Sequence, residues 1–309
     1  MAVDLSTSLG SLQLQAPTLT ASGCAAAGKE LAQFGDVSKL GAVVTKSIMT
    51  NPRSGRPTPR MAETPSGMLN SIGLQGPGVE QFIEKDLAWL TEHNVTTIVS
   101  IAGGTVAEFA SLAARLRDVE GIAALEVNIS CPNVESRGQV FACNHQSASD
   151  VISAVRQEWT SETPILAKLT PDVTDIVSIA QSVVEAGADG LSMINTLLGM
   201  VIDVDAMKPM LGGKTGGLSG PAIRPVAVRA VYQVHAALPD TPILGMGGIR
   251  TGHDALEFLA AGASAVSIGT VVFGDPSAPW RIARELGEEL ETRGYRSVRE
   301  VIGKAHQAG

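Results

Sequence analysis

The chain has 309 residues, 44% hydrophobic and 17% charged, which excludes a disordered chain and suits one large α/β domain or two small ones. Lys and Arg number 23 against 31 Asp and Glu, a formal charge of −8, and aromatics are 4%. Neither nucleic-acid binding nor attachment to an anionic membrane is expected from that balance.

In chain order, short β-branched runs fall at residues 17–22, 41–48, 96–102, 124–130, 164–170, 190–195, 242–247 and 265–269. Several lack polar alternation, as strands buried on both faces do. Amphipathic stretches with apolar residues at helical spacing lie between them, at 80–93, 106–117, 147–159, 175–185, 224–238, 253–261 and 278–293. Gly187 and Gly262 stand where two of these helices should stop. The wording repeats: TPILAKLTPD (163–172) echoes TPILGMGGIR (241–250), and EAGADGLSMINT (185–196) echoes AAGASAVSIGT (260–270). Repeated strand–helix–strand units predict a single-domain α/β protein over residues 1–309, a (β/α)8 TIM barrel, with a doubly wound open sheet as the competing arrangement. In a barrel the long segments 49–79 and 197–223 are loops of the C-terminal face, where function concentrates.

Three cysteines, Cys24, Cys131 and Cys143, form no CxxC pair, so free thiols in a reducing, cytoplasmic compartment are expected. The stretch MAVDLSTSLGSLQLQAP has no signal-peptide pattern, and no run of about 18 apolar residues suggests a membrane span. No HExxH, CxxC or carboxylate cluster suggests a bound metal.

Residues at strand ends carry the chemistry of a barrel. Gly247–Gly248 and Gly269–Thr270 end the seventh and eighth candidate strands. Such glycines either shape tight turns or let backbone N–H groups approach a phosphate. Lys46 and Lys168 lie in apolar runs. Each either snorkels to solvent or faces the interior, where it needs an anion. Asn70, Asn128, Asn133 and Asn195 are turn or cap residues taken singly. As a set they suit a planar heterocycle rich in C=O and N–H groups. Cys131, between Ser130 and Pro132, is either a structural thiol or a base or nucleophile at the barrel mouth. GGLSGP (216–221) either lies over a cofactor ring or only shapes its loop.

Nine segments, in order, resemble class 1 dihydroorotate dehydrogenases, soluble flavoproteins of pyrimidine synthesis. They are TASG (20–23), TKSI (45–48), NSIGLQ (70–75), EVNISCPNV (126–134), AKLTPDVTD (167–175), INTLLGM (194–200), GGLSGPAIRPVAVR (216–229), GMGGI (245–249) and IGT (268–270). Cysteine in NISCPN is the class 1 signature; class 2 enzymes have serine there and a membrane-associating extension. The resemblance is strongest to class 1B, whose FMN subunit passes electrons to an iron–sulfur/FAD subunit and on to NAD+.

That resemblance implies oxidation of dihydroorotate to orotate, with Cys131 removing the C5 proton and C6 delivering hydride to N5 of FMN. An ordinary thiol, near pKa ~8.5, then implies activity rising with pH. Substrate contacts fall to Lys46, Asn70, Ser71, Ile72, Gly73, Leu74, Asn128, Asn133, Asn195 and Thr196. FMN contacts fall to Ser22, Lys46, Ser47, Ser100, Asn128, Lys168, Ile194, Gly220, Gly247, Gly248, Gly269 and Thr270. Lys168 is placed near the flavin N1–C2 edge. A homodimer is implied, or a heterotetramer with the electron-transfer subunit. Three positions depart from the family pattern. Ser100 stands where an Asn is usual, Ser71 where Ala is usual, and NVESRGQVFACN (133–144) where a glycine pair and FGTD are usual. These departures keep open a fumarate-dependent class 1A-like enzyme, a dehydrogenase of another dihydropyrimidine, and a non-catalytic barrel that binds flavin or a phosphate ligand.

Overall fold

A computed structural model describes residues 3–130 and 141–307. Eight parallel strands form one sheet, numbered here as barrel strands β1 (Thr18–Thr20), β2 (Val43–Val44), β3 (Thr97–Ile101), β4 (Ala124–Asn128), β5 (Ile165–Leu169), β6 (Gly190–Met193), β7 (Ile243–Met246) and β8 (Ala265–Ile268). The order is β1-β8-β7-β6-β5-β4-β3-β2. The ring closes where β1 meets β2: Leu19 bridges Ala42, Gly41 N donates to Thr18 O at 2.9 Å, and Thr20 N donates to Ala42 O at 3.3 Å. Closure decides for the (β/α)8 barrel over the open sheet.

Helices follow β2 to β8 within a residue or two of their expected positions. The first joins an α turn Val79–Gln81, a π-helical stretch Phe82–Leu87 and α residues Ala88–Glu92. The next six are Val106–Leu116, His145–Glu158, Ile176–Glu185, Arg224–Ala237, Gly252–Ala260 and Ala278–Thr292. Gly187 and Gly262 follow two of them at φ +108° and +117°, the left-handed geometry that ends a helix. The link from β1 to β2 carries only the 3₁₀ turns Leu31–Gln33 and Val37–Lys39.

Strand parity sorts the core into two. Val99, Leu125, Val127, Ile165, Ala167 and Leu169 face outward and pack with Phe109, Leu112, Val151, Val155 and Ile179 of the helices. Ile98, Ala124, Leu166, Leu244 and Ala265 face inward at the strand starts. An antiparallel hairpin, Thr7–Leu9 with Leu12–Leu14, turns at Gly10 (φ +60°) and closes that end of the barrel. Its Leu9 and Leu14 join the inward cluster, 0% and 2% exposed.

The two long loops are not independent. Residues Leu197–Gly199, Gly216–Ser219, Gly67–Asn70 and Met61–Thr64 make one four-stranded antiparallel sheet in that order. It stands at the carboxyl end of the barrel, and both expected loop positions hold.

Candidate functional site

Two residues further along each inward face, the barrel interior turns polar. The same parity that points Ile98, Ala124 and Leu166 inward points Ser100, Glu126 and Lys168 inward above them. In register, Ser100 opposes Glu126 and Asn128 opposes Lys168. Lys168 is 3% exposed and Glu126 0%. Lys168 Nζ donates to Ser22 Oγ at 2.7 Å and lies 3.5 Å from Glu126 Oε1. Ser100 Oγ donates to the same Oε1 at 2.9 Å and sits 2.8 Å from Ser47 Oγ. Asn128 Nδ2 donates to Ser47 Oγ at 2.9 Å, and Asn128 Oδ1 accepts from Ser130 Oγ at 3.2 Å and Asn195 Nδ2 at 3.3 Å. Asn195 Nδ2 also donates to Ser130 Oγ at 2.6 Å, while its Oδ1 accepts from Thr196 N at 2.8 Å. Lys168 therefore faces the interior, and the anion that a buried lysine requires is partly supplied by the protein.

Above this layer opens a cavity of about 690 Å³. Of the residues expected at a cofactor, Ser22, Lys168, Ile194, Gly220, Gly247, Gly248, Gly269 and Thr270 line it, and so do Asn195 and Thr196. The glycine requirement is physical at two positions. Gly248 has φ +77°, and a Cβ there would lie 2.6 Å from Gly220 O; Gly247 has φ +137°, with a Cβ 2.7 Å from that of Ala227. Bare backbone at the ends of β7 and β8, with a lysine below, fits a flavin phosphate and ring. Helix Gly252–Ala260 starts just beyond, capped by Thr251 and Asp254 in a reciprocal box. Asp254 also pairs with Arg224 of the GGLSGPAIR segment, tying the cup to the loop over it. The hairpin Met61–Asn70 contributes Glu63 to Met68 to the cavity wall. Cys24 lines it too, and loss of hydration pushes its thiol up to about 11, against the pull of Lys168 and Lys46.

A second cavity, about 460 Å³, is lined by Lys46, Ser47, Ile72 and Arg53, among others. Lys46 is half-buried, and its Nζ approaches Gly23, where a Cβ would sit 3.7 Å away. The segment 70–74 is held by arginines from the same loop: Arg53 Nε donates to Gly73 O at 3.0 Å and Arg56 Nη1 to Ser71 Oγ at 3.3 Å. Gly73 has φ +78° and Leu74 φ +56°. Asn70 Nδ2 donates to Gly217 O at 3.3 Å, across the sheet that joins the two long loops. Asn128, Asn195 and Thr196 thus gather at one place, and Lys46 and Ile72 border a neighbouring one. Cys131 and Asn133 lie outside the described residues. Ser100 lines neither cavity; it is buried and bridges Ser47 to Glu126.

Glu126 and Ser130 were not singled out from sequence, although both lie in EVNISCPNV. A glutamate in an otherwise apolar strand, two residues before Asn128, was the available signal. Arg53 and Arg56 gave none, because their partners, Gly73 O and Ser71 Oγ, are brought near only by the loop's path.

A family model described as Dihydroorotate dehydrogenase matches residues 4–290. The chain is 49% identical over its whole length to the whole of "Dihydroorotate dehydrogenase B (NAD(+)), catalytic subunit" of Desulforudis audaxviator. The protein of the same name from Desulforamulus reducens is 48% identical over 99% of this chain and 100% of its own. That from a Geobacillus species is 47% identical over 99% and 96%. With the closed barrel, the glycine-lined cavity and the polar layer beneath it, these matches show that the chain belongs to the dihydroorotate dehydrogenase family.

Proposed function

We propose that the chain oxidises dihydroorotate to orotate in pyrimidine synthesis, using FMN held in the larger cavity. The observation that carries this is Lys168, buried at the cavity floor beneath the glycines of β7 and β8. Bound there, the flavin supplies the two-electron acceptor for the C6 hydride. Lys168 stabilises negative charge at the cofactor edge, and the backbone of Gly247, Gly248, Gly269 and Thr270 holds the phosphate. Asn128 and Asn195 present amides, with Lys46, Asn70 and Thr196 completing a polar rim for the pyrimidine and its carboxylate. Ser71, Ile72, Gly73 and Leu74 contribute the loop wall that Arg53 and Arg56 hold in place. Cys131 and Asn133 belong to the same reading: the thiolate of Cys131 removes the C5 proton, which the neighbouring carbonyl acidifies.

Electrons leave through an iron–sulfur/FAD partner subunit to NAD+. The relatives' printed names, which specify NAD(+) and a catalytic subunit, support that route. No helix among the described residues is long and apolar enough to cross a membrane, in keeping with a cytoplasmic enzyme. The chain pairs with a second copy. Leu198, Met200, Ile202, Val204, Met207 and Met210 are all exposed in one segment of the long loop, more apolar surface than a solitary barrel needs.

The deciding experiment is anaerobic stopped-flow mixing of FMN-loaded protein with dihydroorotate. Bleaching of the flavin band is expected, and Cys131→Ala should slow it about 10²-fold or more, the scale of a lost general base. A flavin that stays oxidised would leave a binding protein, and full turnover by Cys131→Ala would remove the thiol from the reaction.

A further inference from the structure

The barrel interior holds a carboxylate that the reaction above does not use. Glu126 is fully buried on β4. Its Oε1 is shared by Ser100 and Lys168, and its Oε2 has no hydrogen-bond partner among the described residues. A buried charge is retained only with compensation. Lys168 provides part of that, so the pair is the central electrostatic feature of the polar layer.

Glu126 also decides directions. An ionised carboxylate only accepts hydrogen bonds. Ser100 therefore spends its single hydroxyl hydrogen on Glu126 Oε1, and in the Ser47–Ser100 pair the donor must be Ser47. Ser47 Oγ is then left to accept from Asn128 Nδ2. Asn128 must turn its Oδ1 the other way, toward Ser130 and Asn195. Asn195, donating through Nδ2, keeps its Oδ1 on Thr196 N. Amide orientation is otherwise a two-fold choice; here one charge at the end of the chain removes the choice at both asparagines.

We infer that Glu126 is a positioning residue. Its charge fixes the hydrogen-bond polarity that sets which way the amides of Asn128 and Asn195, read above as substrate contacts, are turned, and it offsets the Lys168 charge at the flavin edge. This rests on the reading of the cavity as the site of FMN and dihydroorotate. The serine at position 100 serves the same chain: its short hydroxyl links Glu126 to Ser47.

Glu126→Gln keeps the shape, removes the charge and can donate to Ser100, which reverses the chain. In FMN-loaded protein the flavin midpoint potential and the dissociation constant of orotate are measured beside wild type. The expected shift is about tenfold toward reduced flavin at a given poise, ~30 mV for two electrons, with orotate bound about tenfold more weakly. Ser100→Ala cuts the chain without changing charge. It should weaken orotate several-fold and leave the potential within a twofold change of the equilibrium. A role confined to folding would lower flavin content and stability in both variants but not move the potential of the flavin that remains bound. Glu126→Gln with potential and orotate affinity both within twofold of wild type overturns the inference. If that variant does not fold, Ser100→Ala with unchanged orotate affinity does so. Wild-type flavin that dihydroorotate fails to bleach defeats the underlying functional reading instead, so the two failures are told apart.

Discussion

At the scale of single residues, the proposed chemistry draws on three side chains that face the barrel interior: Glu126, Lys168 and Asn128. Each lies in a strand whose neighbours are apolar, and each is directed inward by the period of two that sends Val127, Ala167 and Leu169 outward. Cys24 illustrates a residue whose environment sets its titration. Burial raises its thiol from the ordinary thiol range to about 11. The sign follows: between those values the unfolded chain loses the proton first, so Cys24 contributes nothing to pH dependence below about 9 and destabilises the fold as pH rises toward 11. Urea unfolding from pH 8.5 to 11 should show wild type losing stability more steeply than Cys24→Ala, by roughly 1 kcal/mol per pH unit once partial solvent exposure is allowed for. Parallel slopes would show that the thiol is not held neutral by the fold.

At the scale of elements, the barrel is built differently at its two ends. The amino end is closed by the hairpin Thr7–Leu14, whose Leu9 belongs to the same buried cluster as Leu19, Leu166 and Leu244. Leu9→Ala should cost about 3 kcal/mol, the usual penalty for a cavity in a dry core, read as a lower urea midpoint. Flavin affinity should stay within twofold, since the hairpin closes the end opposite the cavity. A loss of flavin binding matching the loss of stability would mean that the two ends are coupled. The carboxyl end is built instead from backbone. Gly217 pairs with Asn70 across the loop sheet, and a Cβ at Gly217 would collide with Thr196 Oγ1 at 1.9 Å. The helix that follows β7 owes its start to the Thr251–Asp254 box, and Arg224 reaches Asp254 from the other loop. The eight strands and seven helices were legible from apolar runs, because burial on both strand faces and on one helix face leaves a local pattern. The antiparallel loop sheet was not: Met61–Thr64 and Gly216–Ser219 are short and glycine-rich or half-exposed, and the pairing that joins the two loops, Gly216–Ser219 with Gly67–Asn70, spans about 150 residues of chain.

At the scale of the whole molecule, a charge of −8 coexists with a cationic side chain buried at the cavity floor, so the acidic exterior does not describe the site. The proposed self-association belongs to this scale. Light scattering of the purified chain at micromolar concentration should give twice the chain mass, and Met207→Lys, at a position 82% exposed, should shift it toward the monomer. A wild-type monomer would assign that apolar segment to something other than a second copy.

The sequence by itself determined the repeated strand–helix alternation, the glycine positions at the strand ends and the two lysines in apolar runs. These are local consequences of burial and backbone freedom, and they survive in one dimension. Only the tertiary structure decided that the sheet closes through Leu19 and Ala42, that the loops of residues 49–79 and 197–223 share one sheet, and that Glu126 stands beside Lys168. Strand order and the meeting of inward faces depend on contacts between distant segments, and a carboxylate 42 residues from its lysine becomes its partner only when adjacent parallel strands set the register.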